Sequence, residues 1–175
     1  DKYSLFELAK IRKIQGRNSE AEQLYLKSLS MTSEIKSHIN SDINIELARI
    51  YANIGNIEKA HDRYIKGLDR LSLEKNIYRE LGEMYERIGN NELAEANLKK
   101  AVEFFPNDIQ TNLSLGSIYR REGKDESAKK IFNKLLSEKE VKANKFLYNK
   151  ILNEYEILMK REYLESKPRE IRNTI

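Results

Sequence analysis

Apolar residues recur along this chain at steps of three and four, which is the period of one face of an α-helix. The turns between these amphipathic stretches recur as well, because Gly55, Gly89 and Gly123 lie 34 residues apart, twice over. A fixed period of this length indicates an array of similar helical pairs, each of which buries its apolar face against its neighbours. The pattern therefore predicts an all-α protein built from repeated helix-turn-helix units.

The period divides the sequence into four units and a terminal helix. We place the units at about 2–40, 41–74, 75–108 and 109–142, followed by one amphipathic helix over 143–166. A terminal helix of this kind covers the apolar end of such an array. We expect residues 1–166 to form a single domain, and residues 167–175 to be a polar tail or linker.

Two local features sharpen the boundaries. Gly16 and Gly55 are 39 residues apart, five more than the period. Since the apolar stripe runs on toward Ile39, we expect the second helix of the first unit to be about one turn longer; a longer loop is the alternative. In the last two units we expect Asn91 and Asp125 to cap the second helix.

Composition narrows the class of protein. Charged residues make up 34% of the chain, above the roughly 25% of average globular proteins, which suits thin helical layers with much solvated surface. The net charge is only +4, and Lys and Arg alternate with Asp and Glu, so the charge does not favour a nucleic-acid partner. The sequence has no run of about 18 apolar residues, so we expect no membrane span.

The sequence offers little for catalysis or metal binding. Its two histidines, His38 and His61, lack metal-ligand spacing, and cysteine is absent. Neither a phosphate-binding loop motif nor a nucleophile-elbow motif occurs. We therefore expect no cofactor, no metal and no catalytic residue within this segment.

The repeat resembles a known family. The third unit carries the spacing Tyr78-x2-Leu81-Gly82-x2-Tyr85, followed by Ala94-x3-Leu98, Ala101 and Pro106. This spacing resembles the tetratricopeptide repeat (TPR). The pattern recurs one period later from Asn112 and one period earlier from Asn44, with a weaker first copy from Leu5. The resemblance covers residues 2–142, about four repeats, and implies a right-handed α-solenoid with a C-terminal capping helix.

The recurring residue types have physical roles that do not depend on the family. Small residues in the first helix, such as Gly82 and Gly116, let the partner helix approach closely. We expect Tyr51, Tyr85 and Tyr119 to fill the space between layers, with the hydroxyl reaching solvent or a backbone acceptor. The turn glycines are expected to adopt a positive φ.

The resemblance also implies a binding surface. In TPR proteins the first helix of each pair lines a concave groove that takes an extended peptide or a partner helix. Apolar candidates for this groove are Tyr3, Phe6 and Leu113. The polar candidates are Lys10, Arg49, Asn53, Arg79, Glu83, Arg87, Ser117 and Arg121.

These candidates lean basic, and arginine forks readily onto carboxylates. One hypothesis is therefore an acidic or C-terminal-carboxylate peptide; the alternative is that the charges are paired locally. The chaperone-binding subset of the family clamps a terminal carboxylate with lysine and asparagine. The asparagine positions hold Lys10, Arg49, Glu83 and Ser117 here, which argues against that ligand.

The function predicted from the sequence is a non-enzymatic protein-protein interaction module that scaffolds a complex by binding a protein or peptide in its groove. An alternative is the accessory or recognition region of a larger enzyme, such as a transferase or hydrolase, whose catalytic domain lies outside this segment. A third reading is homo-oligomerisation through the apolar stripe of the C-terminal helix, Phe146–Met159.

Overall fold

The computed structural model describes residues 1–31, 38–68 and 74–167, and every regular element within them is an α-helix. The helices are α1 (Lys2–Ile14), α2 (Asn18–Ser30), α3 (His38–Asn53), α4 (Ile57–Gly67), α5 (Glu74–Arg87), α6 (Asn91–Phe104), α7 (Ile109–Arg121), α8 (Asp125–Ser137), α9 (Lys139–Ala143) and α10 (Lys145–Glu165). The chain divides into two compact units, Asp1–Met84 and Tyr85–Ile175.

In the first unit, α1 packs against α2, α3 against α4, and α2 against α3. Small residues allow these helices to approach closely. A Cβ atom on Gly67 of α4 would lie 2.7 Å from Cγ1 of Ile45 on α3, well inside van der Waals contact. The carbonyl of Gly67 also accepts a hydrogen bond of 2.5 Å from the Ser41 hydroxyl, so α3 and α4 are joined by both packing and hydrogen bonding.

The turn glycines behave as predicted. Gly16, Gly55, Gly89 and Gly123 all have positive φ angles, between 72° and 80°. L-residues with a side chain rarely adopt this conformation, whereas glycine does so at little cost. Each of these residues therefore ends a first helix and sets the register of the second.

The residue after each turn glycine precedes the second helix, and this corrects two predicted caps. Asn90, not Asn91, caps α6: its side chain accepts a backbone N–H three residues further on. At α8 the cap position falls on Lys124, which has no side-chain cap, and Asp125 is the first helical residue. The predictions were wrong by one residue because the glycine turn leaves no room for another non-helical residue.

The expected extension of the second helix is also wrong. Helix α2 ends at Ser30 and has 13 residues. Ile39, whose apolar side chain suggested the extension, lies in α3, which begins at His38 and has 16 residues. The alternative, a longer loop, falls on residues 32–37, which lie outside the described residues.

The tyrosines at the ends of the first helices fill space as predicted. Tyr51 and Tyr85 are buried and Tyr119 is half-buried. The Tyr51 hydroxyl donates a hydrogen bond of 2.7 Å to the Glu22 carboxylate rather than to a backbone acceptor. Burial, and then this hydrogen bond, raise the pKa of Tyr51 to about 12.

In the second unit, α7 packs on α6 and α8, and α10 packs on α8 and α9. Ile151 and Leu158 of α10 are fully buried in a cluster around Phe132. Arg120 of α7 also pairs with Glu154 of α10, with Nε 2.8 Å from Oε2. Helix α10 therefore covers the last helical pair, as predicted. The short α9 was not predicted.

Candidate functional site

A cleft of about 280 Å³ lies between α1 and α3 in the first unit. It brings together two of the predicted groove residues, Lys10 and Arg49. The full lining is Phe6, Lys10, Asp42, Ile45, Glu46 and Arg49.

The helical period places these side chains on one surface. Phe6 and Lys10 are four residues apart on α1, and Asp42, Ile45 and Arg49 follow at steps of three and four on α3. The repeat adds a symmetry: Phe6 and Ile45 each lie ten residues before a turn glycine. Both are buried, so the cleft has an apolar floor edged by charged groups.

The floor rests on an aromatic contact. The rings of Phe6 and Tyr25 are tilted, with centroids 6.0 Å apart. Above the floor, the Lys10 ammonium lies 5.2 Å from the centre of the Phe6 ring, and Glu7 accepts a hydrogen bond of 3.1 Å from it. Lys10 is exposed, so its ammonium can reorient with little loss when a partner binds.

Arg49 is held by two carboxylates. Its guanidinium forks onto Glu80 of α5, with Nε 2.9 Å from Oε2 and Nη2 2.6 Å from Oε1. Its third nitrogen, Nη1, donates to Glu46 at 2.5 Å. The hydrogen bond with Glu80 is the main cause of the raised pKa of Arg49, which burial opposes.

The same network continues at both ends. Lys13 of α1 donates to Glu46 at 2.5 Å, and the Tyr64 hydroxyl of α4 donates to Glu80 at 2.8 Å. The carboxylates of Glu46 and Glu80 are largely buried, with side chains 18% exposed. The network therefore connects α1, α3, α4 and α5. Because the N–H groups of Arg49 already donate to Glu46 and Glu80, they are not free to form a bidentate contact with a ligand.

Asp42 differs from its charged neighbours. No other described residue pairs with its carboxylate by a hydrogen bond or a salt bridge. Burial, and then the nearby charge of Glu46, raise the pKa of Asp42, while Lys10 and Arg49 act in the opposite direction.

The other predicted residues of the first unit lie beyond the cleft. Asn53 is exposed at the end of α3. Arg79 is half-buried on α5, and its Nη1 lies 3.9 Å from the Glu83 carboxylate. The Nε of Arg79 is buried without a hydrogen-bond partner among the described residues, so this arginine is held more loosely than Arg49.

In the second unit, Arg87 is exposed and Ser117 is half-buried. Arg121 pairs with Glu86, with Nη2 2.6 Å from Oε1. Leu113, the apolar residue predicted for the groove of this unit, is buried in its core. Its place in the repeat corresponds to Phe6, which is also buried but borders a cleft.

Sequence reasoning missed the acidic residues beside the cleft. With the residues that pair to its lining included, the cleft carries three basic side chains, Lys10, Lys13 and Arg49, and four acidic ones, Glu7, Asp42, Glu46 and Glu80. The basic excess counted from the sequence is therefore not present here. One signal was available: Glu46 and Glu80 are 34 residues apart, which places two carboxylates at equivalent positions.

Residues 1–31, 38–68 and 74–167 hold neither a metal-binding cluster nor a membrane-spanning helix. These residues contain no group of three or more His, Cys, Asp or Glu arranged to hold a metal ion. Among the helices that they form, none combines the length and apolar character needed to cross a membrane.

Comparison with known proteins supplies the family context. A family model described as tetratricopeptide repeat matches residues 76–108 and 109–141. These ranges agree with the third and fourth units placed from the glycine period. A sequence search of the curated proteins finds no match.

Solved structures resemble the whole fold. A tetratricopeptide repeat protein from Parabacteroides merdae aligns with a TM-score of 0.68 at 23% identity, over 95% of this chain and 66% of that chain. MamA aligns with a TM-score of 0.67 at 17% identity, over 96% and 95% of the two chains. YrrB, described as a TPR protein with an unusual peptide-binding site, aligns with a TM-score of 0.66 at 18% identity, over 90% and 86%.

At these identities the likeness shows the fold alone. It confirms the predicted fold class, an all-α solenoid of helix-turn-helix repeats with a C-terminal capping helix.

Proposed function

We propose that this chain, which carries two matched tetratricopeptide repeats and shares the fold of solved TPR structures, is a non-enzymatic interaction module that scaffolds a complex by binding a peptide or helix of a partner protein. The TPR fold in general supports protein-protein interaction, and its members are typically non-catalytic. The observation that carries the proposal is the cleft between α1 and α3, with its buried Phe6 and Ile45 and its charged edge.

The volume of the cleft lies at the lower limit for a small-molecule pocket, and it suits one or two side chains of a peptide. Pockets for drug-sized ligands measure about 300–1,000 Å³ and enclose most of the ligand. A cleft of about 280 Å³ accepts one or two side chains of a longer chain that continues across the helices. YrrB, a solved structure of the same fold, is described as having a peptide-binding site, which supports the same class of ligand for this protein.

The charge network prepares the cleft for binding. Glu46 of α3 accepts from Lys13 of α1 and from Arg49, and Arg49 also donates to Glu80 of α5, so the walls of the cleft are held in place before a ligand arrives. A prearranged receptor loses little conformational entropy on binding. In this proposal Arg49 positions the walls, and the ligand contacts Phe6, Ile45 and Lys10.

The remaining predicted groove residues belong to the proposal as flanking contacts on each unit. On the first unit these are Asn53, Arg79 and Glu83. On the second unit they are Arg87, Ser117 and Arg121. The basic groove candidates in the sequence suggested an acidic ligand. Such a ligand would need to pair with the Arg49 guanidinium, which Glu46 and Glu80 already occupy.

Filling the cleft tests the proposal. Lys10→Trp places a bulky ring over Phe6, and we expect it to weaken partner binding about tenfold or more, as loss of a central contact does. Lys66→Trp is the matched control, since Lys66 is also exposed and locally paired, on α4. Partners captured from a lysate by the wild-type chain are identified by mass spectrometry, and their peptides are then measured by calorimetry.

Equal affinity of both variants for a purified partner peptide would contradict this placement of the site. A loss in both variants would indicate a general effect on folding, which circular dichroism of each variant would reveal.

Homo-oligomerisation through α10 is a second candidate, because Phe146 is 80% exposed and Tyr163 is 57% exposed. However, Ile151 and Leu158 of the same helix are fully buried within the chain. We therefore expect light scattering to give the monomer mass of 20.6 kDa over a range of protein concentrations. A dimer mass that returns to the monomer mass in a Phe146→Ser variant would instead support the second candidate.

A further inference from the structure

The strongest unassigned feature of the molecule is the carboxylate of Asp42. It lines the cleft, yet it has no hydrogen bond or salt bridge with any other described residue. Lys10, Lys13 and Arg49 each have a carboxylate partner. The charge that remains unbalanced at the cleft is therefore negative.

A second, independent observation concerns Tyr25, whose ring packs against Phe6 of the cleft floor. Tyr25 is fully buried, and its hydroxyl has no hydrogen-bond partner within the described residues. Tyr64, its counterpart in the next repeat, donates to Glu80. The counterpart acceptor for Tyr25 would be Glu46, which Lys13 and Arg49 already occupy.

Buried polar groups without partners are rare and call for an explanation, of which an absent ligand is one. The Tyr25 hydroxyl lies in the field of Glu46, Glu7 and Arg49, the charged groups at this side of the cleft. Asp42 is thus an unpaired carboxylate in the lining of the cleft, and Tyr25, whose ring packs against Phe6, carries a buried hydroxyl without a partner among the described residues.

The lining of the cleft suits a side chain that would pair with Asp42. Phe6 and Ile45 form an apolar floor, on which the methylene stem of a lysine or arginine can lie while its charged end reaches a polar group. Asp42 stands one helical turn before Ile45 on the same face.

We infer that the cleft between α1 and α3 recognises a lysine or arginine side chain of the bound peptide, with Asp42 as its counter-ion. This rests on the proposed function, peptide binding at the cleft, and it reverses the ligand charge expected from the sequence. The corresponding residues of two other repeats are Tyr3 and Gln110, both uncharged, so Asp42 gives this cleft a charge preference that those positions lack.

Lys10 makes the inference sharply testable, because its charge opposes a cationic ligand and favours an anionic one. The probes are fluorescent hexapeptide libraries, random at every position except a fixed central lysine, norleucine or glutamate. We expect wild type to bind the lysine library about tenfold more tightly than the norleucine library, the ratio given by one charge-assisted hydrogen bond. Asp42→Asn should abolish this preference, and Lys10→Met should increase it.

Asp62→Asn is the matched control, since Asp62 is an exposed aspartate of α4 in the same unit, paired with Lys66. It should leave the preference unchanged. If the role of Asp42 were purely structural, its replacement would lower the melting temperature. Burial disfavours the charged form of Asp42 in the folded protein, so Asp42→Asn should leave the melting temperature at neutral pH unchanged or higher.

The outcomes separate the two levels of the proposal. Equal binding of the lysine and norleucine libraries, lost in Lys10→Trp, overturns the inference and leaves peptide binding at the cleft intact. Preference for the glutamate library, or a lysine preference that survives Asp42→Asn, also overturns it. No binding by any library overturns both the inference and the proposed function.

Discussion

Replacing Arg49 with glutamate should lower the free energy of unfolding by about 3 kcal/mol, the low end of the range for breaking a buried ion pair. The wild-type guanidinium lies between two carboxylates, Glu46 and Glu80, at 2.5 Å and 2.6 Å. The glutamate removes that charge and places a third carboxylate beside the other two. We use the low end of the range because the Arg49 side chain is 33% exposed.

Urea denaturation of the whole chain measures this effect, with two comparators. Arg17→Glu alters a salt bridge between exposed side chains, Arg17 and Glu20, and should cost no more than about 1 kcal/mol. Adding Glu80→Arg to Arg49→Glu reverses the pair and should recover part of the loss. If Arg49→Glu costs no more than Arg17→Glu, the network does not hold the helices as described.

The role of Arg49 in stability also affects the interpretation of peptide-binding measurements on Arg49 variants. A charge reversal at Arg49 that weakens peptide binding does not show that Arg49 contacts the peptide, because the same change disturbs α1, α3 and α5 together. Lys10 and Asp42 are better probes of ligand contact, since neither connects two helices.

A valine at Gly116 should lower the free energy of unfolding by about 2 kcal/mol, within the range of overpacked cores. An added Cβ would lie 2.6 Å from Cε1 of the Phe132 ring and 3.2 Å from Cγ2 of Ile131. Phe132 is fully buried, so its ring can shift only by displacing the side chains packed around it. The steric cost exceeds the few tenths of a kcal/mol that valine gains over glycine as a helix former.

The rescue variant comes from the chain itself. In the preceding repeat, Gly82 occupies the position of Gly116, and Leu98 occupies the position of Phe132. Phe132→Leu should therefore relieve the clash, so that the double variant is more stable than the sum of the single effects by about 1 kcal/mol. Ser117→Val, the next residue of α7, controls for β-branching and should stay within about 0.5 kcal/mol of wild type. Additive effects would contradict the close approach.

The fold was predictable because its signals are local and repeated. Gly55 and Gly89 mark turns whose positive φ few other residues adopt, and small residues such as Gly116 mark places where helices meet. Each signal recurs at the same interval, so a weak signal in one repeat is supported by the equivalent signal in the next. The first repeat, where the interval is broken, is where the predicted helix extension was wrong.

The candidate site was only partly predictable, because its chemistry depends on pairing between distant residues. The sequence predicted that Lys10 and Arg49 share one groove-facing surface, and both line the cleft between α1 and α3. The Arg49 guanidinium is occupied by Glu80, which lies 31 residues further along the chain. No local sequence pattern shows this pairing. Asp42 was missed because its importance lies in the lack of a partner, which only the packed structure reveals.

Helix α9 was missed for a different reason. Its five residues, Lys139–Ala143, are too few to show a helical period, and only Val141 among them is buried. Short elements of this kind are set by the packing of their neighbours, here α8 and α10, rather than by their own sequence.

The central claim is that a partner peptide lies in the cleft between α1 and α3, and isoleucine methyl NMR tests it directly. Ile45 lies in the floor of the cleft, and Ile65 is exposed on α4 of the same unit. On addition of a partner peptide found by capture, the δ1 methyl signal of Ile45 should shift and show nuclear Overhauser contacts to the peptide, while that of Ile65 stays in place. Contacts to Ile65 with an unshifted Ile45 signal would contradict the account.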